Sequence, residues 1–103
     1  MKVLTEGHKY ELENFENKNE KGQEIQFIEK HGTEISGELV TAFDGTTNEE
    51  VLEVLINRIS FLQNKFPCKE NACCITHLQE GLMWLEKRTS DRIKRNVEGK
   101  NIK

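Results

Sequence analysis

Four side chains late in the chain recur at helical spacing: Trp84, Arg88, Arg92 and Arg95, separated by four, four and three residues. Such steps bring residues to one side of an α-helix. Guanidinium groups meet phosphate oxygens in planar two-point contacts and also stack on bases, and an aromatic ring heading the stripe adds a stacking surface. This set can capture an anion that carries both phosphate and a base. A helix end facing solvent accounts for the same residues, because the helix dipole favours cations near a C-terminus. From Lys87 onward there are seven cations against two acids, +5 net; with a whole-chain charge of −3, residues 1–86 carry −8. An anionic ligand is steered toward the cationic end.

A second pair lies earlier. Phe61 sits beside the apolar stripe of its segment, where a ring can stack on a base, and Asn71 can pair with base edges or ribose hydroxyls. Packing of Phe61 on a sheet or a partner chain, and helix capping by Asn71, are the plainer roles. Cys68, Cys73, Cys74 and His77 fall within ten residues. Adjacent Cys73 and Cys74 diverge by about 100° on a helix, and no second CxxC or HxxxH pair completes a tetrahedral set. The expectation is buried, inert thiols and no metal. No phosphate-cradling glycine loop, GxSxG or HExxH is present, and His8, His31 and His77 are scattered. A binding protein without cofactor is expected rather than an enzyme.

The elements that must hold these residues follow from periodicity. Val51, Leu52, Leu55, Ile56, Ile59, Leu62 and Phe66 recur at three and four residues, preceded by two overlapping capping boxes, Thr46 with Glu49 and Thr47 with Glu50. Pro67 closes this helix. A second helix starts near 69–72, carries Ala72, Ile75, Leu78, Leu82, Leu85 and Ile93 as its apolar stripe, and runs to Arg95 or Asn96, with Gly99 ending regular structure. The short connection at 66–70 predicts an antiparallel αα-hairpin. Upstream, the segments 9–15, 25–29 and 39–43 read as strands. Asn17–Gly22, His31-Gly32 and Asp44-Gly45 read as turns. The fold class is therefore α+β: a small N-terminal antiparallel β-sheet of three or four strands, then the hairpin.

At 103 residues one domain is expected, with the sheet in 1–45, the hairpin in 46–96 and a basic tail in 97–103. So small a chain makes a thin core, and thin cores lean on oligomerisation. Three cysteines that cannot all pair fit a reducing cytosol. Neither a signal peptide nor a run of about 20 apolar residues is present, so a cytoplasmic protein with no membrane partner is expected.

The runs Asp44–Leu52, Pro67–Asn71, His77–Thr89 and Arg92–Gly99 resemble the hairpin domain shared by two groups of phage anti-defence sponges. One group sequesters the cyclic ADP-ribose signals of Thoeris immunity, the other the cyclic oligonucleotides of CBASS immunity. The strands preceding the hairpin resemble the Thoeris-directed group. The resemblance implies a homo-oligomer, dimers assembling to hexamers, that holds glycocyclic ADP-ribose between protomers without degrading it. It implies contacts from Phe61, Asn71 and Arg88, with Lys94, Arg92 and Arg95 as further candidates. Some members also take cyclic di- or trinucleotides at a separate interface. One departure is Asn96, where the family pattern has glycine; asparagine can adopt the same backbone. Two other functions fit parts of the sequence: a small nucleic-acid-binding protein using the Arg-rich second helix, and an enzyme that degrades the signal. The acidic total argues against the first, and the lack of a nucleophile–base pair against the second.

Overall fold

The computed structural model describes residues 1–32 and 38–95. Asn96, Gly99 and the basic tail lie outside the described residues. The chain divides into two compact units, Met1–Thr47 and Asn48–Lys103.

The first unit holds five strands in two sheets. β1 (Lys2–Thr5), β2 (Lys9–Glu11) and β3 (Glu24–Gln26) form an antiparallel sheet in the order β1-β2-β3, and β4 (Glu29–Gly32) pairs antiparallel with β5 (Leu39–Phe43). The sequence reading of an N-terminal antiparallel β region holds, with differences in detail. The 25–29 segment divides, because Phe27 leaves the first sheet to make a parallel bridge with Thr46, and Glu29 starts the second. His31-Gly32, expected as a turn, lies within β4.

The long β2–β3 connection is closed by polar contacts. The Leu12 amide donates to Gln23 at 2.7 Å, and the Asn14 side-chain amide reaches the carbonyls of Asn17, Glu20 and Lys21 at 3.3–3.4 Å. Gly22 is required by close approach, since a Cβ there would collide with the Leu12 carbonyl. Gly45 plays the same part against the Gln26 carbonyl. The Thr46 amide donates to that carbonyl at 2.8 Å, and Ile28 donates to Thr46 O at 2.9 Å. Tyr10 and Phe27 meet edge to face at 6.0 Å.

Glu24 lies 3.3 Å from Lys21 and 3.5 Å from Lys9. The hydrogen bond and charge of Lys21, with the charge of Lys9, hold its carboxyl below the ordinary carboxylate value. A lowered folded value means that these contacts support the fold above the carboxylate range. Their support is lost as pH falls through the lowered value. Lys21→Ala is expected to raise the Glu24 titration midpoint, followed by carbon-detected NMR; an unchanged midpoint would refute the contact.

The second unit is the hairpin: α1 (Asn48–Lys65) and α2 (Lys69–Lys94). Its first helical residue, Asn48, selects the second of the two capping boxes, with Thr47 at the cap and Glu50 at the third helical position. Thr46 is instead committed to the bridge with Phe27. The turn between the helices is clamped by Gln63. Its side-chain carbonyl accepts from the Cys68 amide at 2.9 Å, and its Nε2 donates to Cys68 O at 3.1 Å. Cys68 caps α2, its Sγ accepting from the Asn71 amide at 3.4 Å, so the capping expected of Asn71 falls to the cysteine. Gln63→Ala removes both clamp bonds and is expected to cost about 1–2 kcal/mol, read as a lower Tm at fixed protein concentration.

Val51, Leu52, Ile56 and Ile59 of α1 and Ile75, Leu78, Leu82 and Leu85 of α2 are half-buried, as their spacing predicts. Leu55, Leu62, Phe66, Ala72 and Ile93 of the expected stripes are exposed. Among the described residues no hydrophobic side chain is fully buried.

Candidate functional site

α2 is long enough that its last three turns project cations as a group. Trp84, Lys87, Arg88, Asp91, Lys94 and Arg95 line one open concavity of about 530 Å³. Their steps of three and four keep them on one side of the helix. Trp84 is 62% exposed, so its indole offers a face to an incoming ring. Lys87 Nζ lies 3.2 Å from Asp91 Oδ2, and the Arg95 amide donates to the Asp91 carbonyl at 3.1 Å, which extends the helical path to Arg95. Four cations and one carboxylate therefore surround a site with an aromatic at one side.

Three of the sequence-predicted residues, Arg88, Lys94 and Arg95, come together here. Arg92 does not. Eight positions beyond Trp84 it is turned about 80° around the helix, toward the side of Leu78 and Leu85, and only 6% of it is exposed. The stripe read as three arginines on one face is thus a groove of two arginines and two lysines. Lys87 and Asp91 belong to it and were missed in the sequence, where the spacing 84, 87, 88, 91 is the signal that places them on this side of the helix.

Phe61 and Asn71 occupy the turn end of the hairpin. Seventeen positions of α2 separate Asn71 from Arg88, about 25 Å along the axis. Phe61 is 52% exposed on α1, with Lys65 Nζ 4.9 Å from its ring centroid. Glu53, Val54, Asn57 and Arg58 complete a shallow concavity of about 450 Å³ around it. One hairpin therefore carries two separate concavities, one around Phe61 near the turn and a cationic one far from it.

The cysteines correct the sequence reading. Cys68, Cys73 and Cys74 are all free and exposed, not buried. Two helices packed on each other bury only their facing sides, and Cys68, Cys73 and Cys74 lie off that seam, so the usual preference of cysteine for burial is not met.

Residues 23–90 match the family model described as Acb2/Tad1, hairpin domain. That segment is well over half of the chain. The chain belongs to the Acb2/Tad1 hairpin family. It is also similar to Thoeris anti-defense 1 of Bacillus phage SBSphiJ7, 48% identical over 61 residues, which cover 58% of this chain and 43% of that protein. The chain thus spans less than half the length of that relative. Within this Acb2/Tad1 hairpin the matched segment includes Phe61, Asn71, Trp84, Lys87 and Arg88, and ends before Asp91. No described helix is long and apolar enough to cross a membrane.

Proposed function

We propose that this protein is a phage anti-defence sponge that binds and sequesters cyclic ADP-ribose-type signals, glycocyclic ADP-ribose among them, made by Thoeris TIR proteins in the host cytosol, without degrading them. The observation that carries the reading is the open groove of Trp84, Lys87, Arg88, Lys94 and Arg95 on a hairpin of this family. A pyrophosphate needs cations with several donors, which Arg88, Lys94 and Arg95 supply. An adenine needs an exposed aromatic face, which Phe61 and Trp84 offer. Asn71 provides an amide for polar edges.

The separation of the two concavities gives the capture mechanism its form. A ligand of this size cannot span about 25 Å, so Phe61 and Asn71 of one protomer complete a pocket with Arg88 of another. Antiparallel packing of two hairpins, turn against cationic end, accomplishes this. The exposed Leu55, Leu62, Phe66 and Met83 supply apolar surface for such an assembly. Enclosure between chains then removes water from the pyrophosphate contacts, which strengthens them. Each protomer lends one aromatic half-site and one cationic half-site, so dimers and hexamers retain one pocket per chain.

Calorimetric titration with cyclic ADP-ribose and its glycosidic isomers tests the reading. Saturable binding at one ligand per chain is the expected result. Retention of random duplex DNA at physiological salt, with no uptake of any cyclic ADP-ribose isomer, would move the assignment to a nucleic-acid-binding protein. Parallel titrations with cyclic di- and trinucleotides determine whether a second ligand class is taken.

A further inference from the structure

Among the groups lining the cationic groove, Asp91 is the one that a simple phosphate trap has no use for. It lies among Lys87, Arg88, Lys94 and Arg95, and its side chain is half exposed. As a stability device it is poorly placed. Acids in the last turns of a helix oppose the helix dipole. A cation four residues before an acid is the weaker order for a helical ion pair, and an exposed pair contributes little in any case. A carboxylate here also lowers the groove's attraction for phosphate. Its contact with Lys87 at 3.2 Å orients the group while using one of its two oxygens, and a carboxylate accepts about four hydrogen bonds in all. Asp91 also lines the concavity proposed above to hold a pyrophosphate. The ligand groups next to a pyrophosphate that donate hydrogen bonds are ribose hydroxyls. An acid that accepts from a ribose hydroxyl also repels a phosphate ester at the same position, the discrimination that dinucleotide-binding folds use.

We infer that Asp91 is a specificity-determining residue of the groove: it accepts a hydrogen bond from a free ribose hydroxyl of the captured nucleotide and excludes ligands phosphorylated on that ribose. The inference rests on the sponge reading above.

The experiment is calorimetric titration of the full-length protein with cyclic ADP-ribose and with cyclic ADP-ribose 2′-phosphate, for the wild type, Asp91→Asn and Lys87→Met. The wild type is expected to prefer the unphosphorylated ligand by roughly tenfold, as a like-charge contact near a protein surface, partly offset by Lys87, implies. Asp91→Asn keeps the shape and removes the charge, so it should narrow the preference to about threefold or less, chiefly by tighter binding of the phosphorylated ligand. Lys87→Met should weaken both ligands and, by removing the cation that partly offsets Asp91, leave the preference for the unphosphorylated ligand at least as large. A purely structural Asp91 would shift both ligands by the same factor in Asp91→Asn, and that result overturns the inference. So does a wild type that binds the phosphorylated ligand equally well or better. Binding of neither ligand overturns the sponge reading and this inference with it.

Discussion

Arg88→Ala is expected to weaken capture of cyclic ADP-ribose-type ligands by about a hundredfold or more while leaving the fold intact. Arg88 lines the groove from an exposed position on α2. Exposed side chains of this kind contribute within about 0.5 kcal/mol to folding, so the Tm should scarcely move. In the proposed complex the same guanidinium faces a pyrophosphate enclosed between chains. Removing one partner of such a desolvated charge pair costs about 2–5 kcal/mol, much of it the penalty of leaving the other charge unpaired. Arg88→Lys keeps the charge but loses the planar fork, and an intermediate loss is expected. Calorimetry gives the affinities, and light scattering confirms that the variant assembles as the wild type does. Undiminished affinity in Arg88→Ala would remove the groove from the account.

The second large effect concerns assembly. Leu55, Leu62 and Phe66 are spaced by seven and four residues, which aligns them along α1, and all three are exposed. Burying each against a partner contributes about 1.5–3 kcal/mol. Leu62→Glu places a carboxylate in the middle of this stripe, where burial without a partner costs several kcal/mol. The variant is expected to fall apart to a smaller species by light scattering and to lose capture together with assembly, although the groove of Trp84 and Arg88 is untouched. A dissociated Leu62→Glu protein that still binds the ligand at wild-type affinity would show that one chain suffices for the site.

The hairpin was legible because its signals are local. Helical spacing from Val51 to Phe66, a threonine cap, and Pro67 after the last turn act within one segment, and the helices form where they predict. β1 and β4 were not legible. β1 is exposed at all four positions and shows no alternation of burial, and β4 is Glu-Lys-His-Gly, with no strand-forming side chain. Both exist through their pairing with β2 and β5, a long-range cause that short windows of sequence do not contain. In β4 that pairing is joined by a local contact between Glu29 and His31 at 2.8 Å.

The site divides the same way. Arg88 and Arg95 were found by spacing and Lys94 through the family resemblance, and the structure gathers the three in one groove. Arg92 was misplaced because a four-residue step advances about 40° around the helix. Two such steps from Trp84 carried it out of the groove and into burial. The exposed thiols were misread because a residue's average burial says little about a chain in which no described hydrophobic side chain is buried. The distance between Phe61 and Arg88 depends on helix length, and it makes a second protomer necessary to the proposed pocket.

The most direct test of the account is recovery of the ligand. The protein is incubated with a stoichiometric amount of the cyclic ADP-ribose isomer it binds most tightly, the free ligand is filtered away, and the complex is heat-denatured. Release of intact ligand, one per chain and identical by chromatography to the starting material, is the predicted result. Linear ADP-ribose or another product accumulating with time and enzyme-like turnover would contradict it.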